Sequence, residues 1–291
     1  MLKLVILIIY FAVLIGIGLY CRKHATDVNG FVLGGRSVGP WLTAFAYGTS
    51  YFSAVVFVGY AGQFGWKYGI AATWAGIGNA IIGSLLAWVV LGRRTRIMSQ
   101  HLDSATMPQY FGKRFGSNPL KIGASVIIFI FLIPYTASLY NGLSRLFGMA
   151  FNIDYSVCII IMATLTAIYV IAGGYMATAI NDFIQGIIML FGIVAVIAAV
   201  IHSKGGFMSA LQGLANVSDP AVSKTPGIFA SFFGPDPFNL LCVVILTSLG
   251  TWGLPQMVQK FYAIDNEASI QKGTVISTIF ALIVSGGCYF L

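Results

Sequence analysis

The chain has 291 residues, a mean hydropathy of +0.89, 58% hydrophobic residues and only 8% charged ones. An ordinary soluble domain carries about 25% charge, so the composition excludes one and points to a chain that lives in a lipid bilayer. The net charge of +8 could suggest a nucleic-acid partner, but the basic residues are distributed as membrane topology distributes them, and no nucleic acid is implied.

Charged positions punctuate the chain, and eight uncharged runs lie between them: 4–21, 37–66, 68–92, 122–144, 155–181, 183–201, 237–259 and 273–291. About 20 mainly apolar residues suffice to cross a bilayer, so these are eight candidate transmembrane helices. The first run follows Lys3 but is long and lacks a small-x-small cleavage site before Cys21-Arg22-Lys23. It reads as a retained helix rather than a signal peptide. Eight spans place their loops alternately on two sides. Of the 16 Lys and Arg, Arg22, Lys23, Arg36, Arg93, Arg94, Arg96, Lys113, Arg114, Lys121, Lys260 and Lys272 fall on one side, eleven in all. Lys3, Lys67, Arg145, Lys204 and Lys224 fall on the other. The positive-inside rule then places the N-terminus outside and the Arg93–Lys121 loop in the cytoplasm.

After the first helix, the turn 21–40 ends in Gly34-Gly-Arg-Ser-Val-Gly-Pro40. Proline suits the first turn of a helix, where its missing donor costs nothing. Arg36 reads equally as a positive-inside anchor or as a functional residue. The second run carries Gly48, Thr49, Ser50 and Ser53 where the hydrocarbon would be deepest. Small residues there suit close helix–helix contact; hydroxyls and freed carbonyls there suit a broken helix that holds an ion or solute. The third run, rich in Gly, Ala and Ile, reads as scaffold. In the loop that follows, Met107–Phe115 mixes apolar and basic residues at helical spacing, as a short interfacial helix does.

The fourth run contains Pro134, which frees a carbonyl and kinks a helix, followed by Tyr135, Thr136, Ser138, Tyr140 and Asn141. An interfacial belt explains Tyr140 better than Tyr135. The fifth and sixth runs meet at Asp182. Asp182 and Gln185 are spaced as a capping pair at a helix start, and a carboxylate at a cavity mouth would equally attract cations. Residues 202–236 form the one long outside loop. The seventh run then places Gly250, Gly253 and Pro255 among Thr247, Ser248 and Thr251. It lies five spans after the first interrupted run and therefore crosses in the opposite direction. Paired interruptions at matching positions of two oppositely oriented halves point to a transporter site, and this pairing favours a site over simple packing.

Cys21, Cys158, Cys242 and Cys288 are isolated, with no CxxC or Cys/His spacing, so neither a metal site nor a disulfide framework is indicated. None of His24, His101 and His202 lies near a nucleophile or a carboxylate pair. Nothing in the chain supports an enzyme.

Four segments carry a resemblance to a known family: LGGRSVGPWLTA at Leu33–Ala44, GTSYFS at Gly48–Ser53, GGYMATAINDFIQG at Gly173–Gly186 and GLPQMVQKF at Gly253–Phe261. Together they resemble the sodium:solute symporter family, over nearly the whole chain. The resemblance implies an all-α, multi-pass membrane protein with an inverted-repeat, leucine-transporter-like fold of five plus five helices. Residues 1–21 would be an extra N-terminal helix, 41–203 the first repeat and 237–291 the start of a second, incomplete repeat.

It further implies Na+ as coupling ion with no other cofactor, held in part by the backbone carbonyls of Thr49 and Phe52. Ser50, Ser53, Tyr135, Thr251 and Trp252 would face the solute. Arg36 and Asp182 would act in coupling or gating. Hydroxyls on a ninth span complete the sodium site in the family, whereas this sequence ends in the eighth.

Departures from the family also stand out. Tyr51 takes the place of an aspartate that sodium/proline symporters carry in the broken helix, and Thr247 takes the place of a tryptophan. Tyr135-Thr-Ala-Ser resembles the proline branch, whereas Lys67-Tyr-Gly and GLPQ resemble the pantothenate branch. The expected function is uptake of a small polar metabolite across the plasma membrane. The alternatives are the membrane domain of a larger sensor and a truncated product that inserts without transporting.

Overall fold

The computed structural model describes residues 2–53, 55–219, 221–223 and 225–291. Lys224, one of the charges assigned to the outside loop, lies outside the described residues, as does the side chain of Lys3. The described residues form helices and turns; the extended contacts among them are two isolated bridges, Val38–Ile264 and Asp219–Ser223.

Thirteen α-helical segments follow in order: α1 Leu2–Cys21, α2 Val28–Leu33, α3 Pro40–Tyr51, α4 Ala61–Tyr68, α5 Thr73–Gly78, α6 Arg93–His101, α7 Met107–Phe115, α8 Asn118–Phe151, α9 Tyr155–Ser203, α10 Phe207–Ala215, α11 Pro237–Leu249, α12 Pro255–Ala263 and α13 Glu267–Phe290. Wide π-type turns fill 79–86 and 88–92, so α5 and α6 are the ends of one rod.

The helix starts are written in the sequence. Asp27, Thr106, Ser117, Asp154, Asp236 and Asn266 each accept a hydrogen bond from a first-turn backbone N–H, satisfying donors that the helix itself leaves open. Proline stands at the first turn of α3, α7, α8, α11 and α12.

Four helical stretches are long and apolar enough to cross a membrane: Ala61–His101, Asn118–Phe151, Tyr155–Ser203 and Glu267–Phe290, with Val5–Cys21 and Pro237–Leu249 shorter. All eight uncharged runs lie on helix, and two of them are interrupted. α3 stops at Tyr51 and helix resumes at Val55; α11 stops at Leu249 and α12 begins at Pro255. The most apolar window of α8 has none of its residues buried. The helix runs unbroken through Pro134.

One boundary differs from the sequence reading. α9 contains both the fifth and the sixth runs and bends at a single residue, Gly174, with φ 57° and ψ −148°. Only glycine adopts that backbone without cost, and a Cβ there would stand 2.8 Å from the Phe31 carbonyl oxygen. The helix that carries the sixth run therefore begins just after Gly174, and Asp182 lies two turns inside it. It is no N-cap. Gln185 also does other work, donating to the Tyr10 hydroxyl at 2.6 Å and tying α9 to α1.

The largest core cluster wraps α3: Phe45, Tyr47, Tyr51 and Phe52 meet Trp88, Phe261 and Phe280. Gly48 belongs to this packing, since any Cβ on it would overlap the Phe280 ring. The helix-contact reading of the small residues is thus correct for Gly48, while its hydroxyl neighbours face elsewhere.

Candidate functional site

The break in α3 generates the site. A helix end leaves its last four carbonyls without intrahelical partners, and α3 ends among Thr49, Ser50, Tyr51 and Phe52, of which Phe52 is the C-cap. Thr49, Phe52 and Ser53 line a cavity of about 690 Å³ between this break and α9. Asp182 and Gln185 line the facing wall. The Asp182 carboxylate has one ionic partner among the described residues, Lys260 on α12, with Nζ 3.7 Å from Oδ2. Lys260 is 6% exposed. It is therefore a buried charge on a helix and not a free loop charge.

A second polar cluster joins the two interrupted helices. The Asn79 Oδ1 accepts from the hydroxyls of Tyr51 at 3.2 Å, Thr247 at 3.1 Å and Ser248 at 3.0 Å. Tyr51 also reaches the Thr247 carbonyl at 3.1 Å. Asn79 is buried at the start of the wide turns, so one amide on the rod pins the end of α3 to the end of α11. Tyr51 and Thr247, the two departures from the proline branch, thus bond to each other and to Asn79. In sequence this rod reads as scaffold, and its one signal is a lone Asn in an apolar run.

The other expected site residues are dispersed. Trp252 donates its indole N–H to the Ile82 carbonyl at 3.0 Å, and Thr251 donates to Ser248 O at 3.0 Å, so both spend a donor locally. Ser50 is half-buried on the last turn of α3 and does not line the cavity. Tyr135 is half-buried on α8, also away from it.

Arg36 sits at the opposite end of α3 from the break. Its guanidinium donates to Ser104 O at 2.8 Å, Ser99 O at 3.3 Å, Ser99 Oγ at 3.2 Å and Tyr262 O at 3.4 Å. Arg96 donates to Ile264 O at 2.6 Å, Asp265 O at 2.9 Å and Gln100 Oε1 at 2.7 Å. Between them, Val38 N–H bonds to Ala263 O at 3.3 Å and Asp265 N–H to Val38 O at 3.1 Å. The entry to the first interrupted helix and the exit from the second are thereby clasped together. Burial, aided by Arg96, lowers the Arg36 pKa from its ordinary value; an arginine stays charged regardless.

Comparison with known proteins agrees with this architecture. The family model described as "Sodium:solute symporter family" matches residues 31–291. Sodium/proline symporters of Staphylococcus aureus strains JH9 and JH1 are each 32% identical over 278 residues, covering 92% of this chain and 51% of theirs. The chain thus spans about half the length of these curated relatives. A solved substrate-bound, outward-open Na+-coupled sialic acid symporter superposes with a TM-score of 0.74 at 17% identity, over 100% of this chain and 61% of that one. Fold and sequence agree, and the chain belongs to the sodium:solute symporter family.

Proposed function

We propose that this chain is part of a sodium-coupled symporter that imports a small polar metabolite. The observation that carries the proposal is the cavity at the α3 break, where the Asp182 carboxylate faces Thr49, Phe52 and Ser53. Sodium is a hard cation that takes oxygen ligands. The break supplies the carbonyl oxygens of Thr49 and Phe52, and Asp182 supplies the one formal negative charge among the residues that line the cavity. Asp182 therefore acts on the cation, and Arg36 acts as a gating residue at the clasped end. Of the residues proposed for the solute, Ser53 lines this cavity, whereas Ser50, Tyr135, Thr251 and Trp252 do not and are assigned to the solute on the family resemblance alone.

The repeat organisation follows the same reading: 1–21 an added helix, 41–203 the first inverted repeat and 237–291 the start of the second. The protein sits in the plasma membrane with its N-terminus outside and the clasp on the cytoplasmic side. The names of the Staphylococcus relatives favour a proline-like solute; the Lys67-Tyr-Gly and Gly253-Leu-Pro-Gln segments favour a pantothenate-like one.

The test is uptake of labelled proline and pantothenate against Na+ concentration, in the protein as its gene encodes it, with Asp182→Asn beside the parent. Loss of a charge-assisted contact worth about 1.5–3 kcal/mol raises the Na+ concentration for half-maximal uptake about ten-fold or more. An unchanged sodium response would sink the assignment.

A further inference from the structure

We infer that Lys260 is a built-in counter-ion of Asp182, which it holds when the site is free of sodium and from which the entering ion displaces it. The inference deepens the assignment of Asp182 to the cation and rests on it. Lysine is almost never buried unless paired, yet Lys260 is 6% exposed, and its ionic partner is the carboxylate that faces the cavity. The separation of 3.7 Å is longer than a hydrogen bond. The ammonium thus neutralises Asp182 through space, and the residue still lines the cavity.

A sodium ion coordinated by that carboxylate would stand within a few ångströms of the ammonium, and like charges at such range repel. The structure offers the ammonium a second resting place, because Nζ already lies 4.9 Å from the centroid of the Tyr175 ring, a cation–π distance. Exchange of partners has a mechanical consequence. Lys260 belongs to α12, two residues before the Tyr262 carbonyl that Arg36 grips, whereas Asp182 belongs to α9. Sodium at Asp182 therefore removes the ionic tie between α9 and the second interrupted helix, at the edge of the clasp.

The experiment is Na+ titration by calorimetry on the purified protein in lipid nanodiscs, with choline replacing Na+ to hold ionic strength. Lys260→Met removes the competitor and tightens Na+ binding about ten-fold. Lys260→Arg keeps the charge, adds a fork that bonds carboxylates more strongly, and weakens Na+ binding. Lys260→Met placed on Asp182→Asn has no further effect. A bridge with a purely structural role leaves Na+ affinity unmoved in Lys260→Arg, so opposite shifts in the two single variants support the displacement. Absence of opposite shifts, with Asp182→Asn still weakening Na+ binding, overturns the displacement and leaves the Asp182 assignment standing. An Asp182→Asn protein that binds Na+ like the parent overturns both.

Discussion

Replacing Asn79 with alanine tests the link between the two interrupted helices. Its Oδ1 is the acceptor for three hydroxyls, but they do not lose equally. Thr247 retains the Val243 carbonyl at 2.9 Å and Tyr51 retains the Thr247 carbonyl at 3.1 Å. Ser248, which is fully buried, loses the acceptor it uses. One lost and two weakened bonds amount to about 1–3 kcal/mol, at roughly 0.5–1.5 kcal/mol per net hydrogen bond.

Inter-helix hydrogen bonds in membranes average nearer about 0.6 kcal/mol in double-mutant cycles, so the lower half of that range is expected. The assay is thermal unfolding of the purified protein in detergent for Asn79→Ala, Ser248→Ala and the double variant, read from a thiol dye that reports the buried cysteines Cys21, Cys158 and Cys288. If Asn79 bonds to Ser248 as described, the double variant is less destabilised than the sum of the singles, by about 0.5–1 kcal/mol. Asn79→Asp, which keeps an acceptor oxygen, should recover part of the coupling to Ser248. Additivity to within about 0.3 kcal/mol would refute the pin and reduce Asn79 to a lone buried amide.

Arg36→Lys should speed hydrogen exchange at residues 99–104 and 262–265, because a lysine ammonium is a point charge and cannot reproduce a planar fork across three carbonyls; unchanged exchange there would show that the clasp does not depend on Arg36. For topology, a single cysteine at Asn118, exposed at the start of α8, in a background without the four native cysteines, should resist impermeant thiol reagents in intact cells and react in inverted vesicles. Ser104 lies in the same loop but is fully buried and would report nothing.

The sequence is legible where one physical rule acts alone. Charge is excluded from hydrocarbon, so uncharged runs mark the helices, and hydroxyls with Gly and Pro in mid-run mark the two breaks. It misleads where a charge is itself buried. In sequence alone Asp182 and Lys260 both read as loop punctuation, because composition cannot show that two opposite charges, 78 positions apart, neutralise each other inside the protein. The same assumption moved the start of the sixth helix onto Asp182 and hid the bend at Gly174, although Gly173-Gly174 stood in the sequence as a signal. Asn79 escaped for the converse reason: a single neutral amide barely disturbs hydropathy, and its role depends on partners about 170 positions away.

The clasp at the end of α3 has a genetic consequence. Of the seven hydrogen bonds made by Arg36 and Arg96, five end on main-chain oxygens, at residues 99, 104, 262, 264 and 265. A carbonyl oxygen is present whatever amino acid is encoded there. Codons on the accepting side can drift without costing those bonds, while the two arginine codons cannot. The heritable information for the contact is thus one-sided, and a search for compensating pairs of substitutions across it would come back empty even though the two surfaces touch.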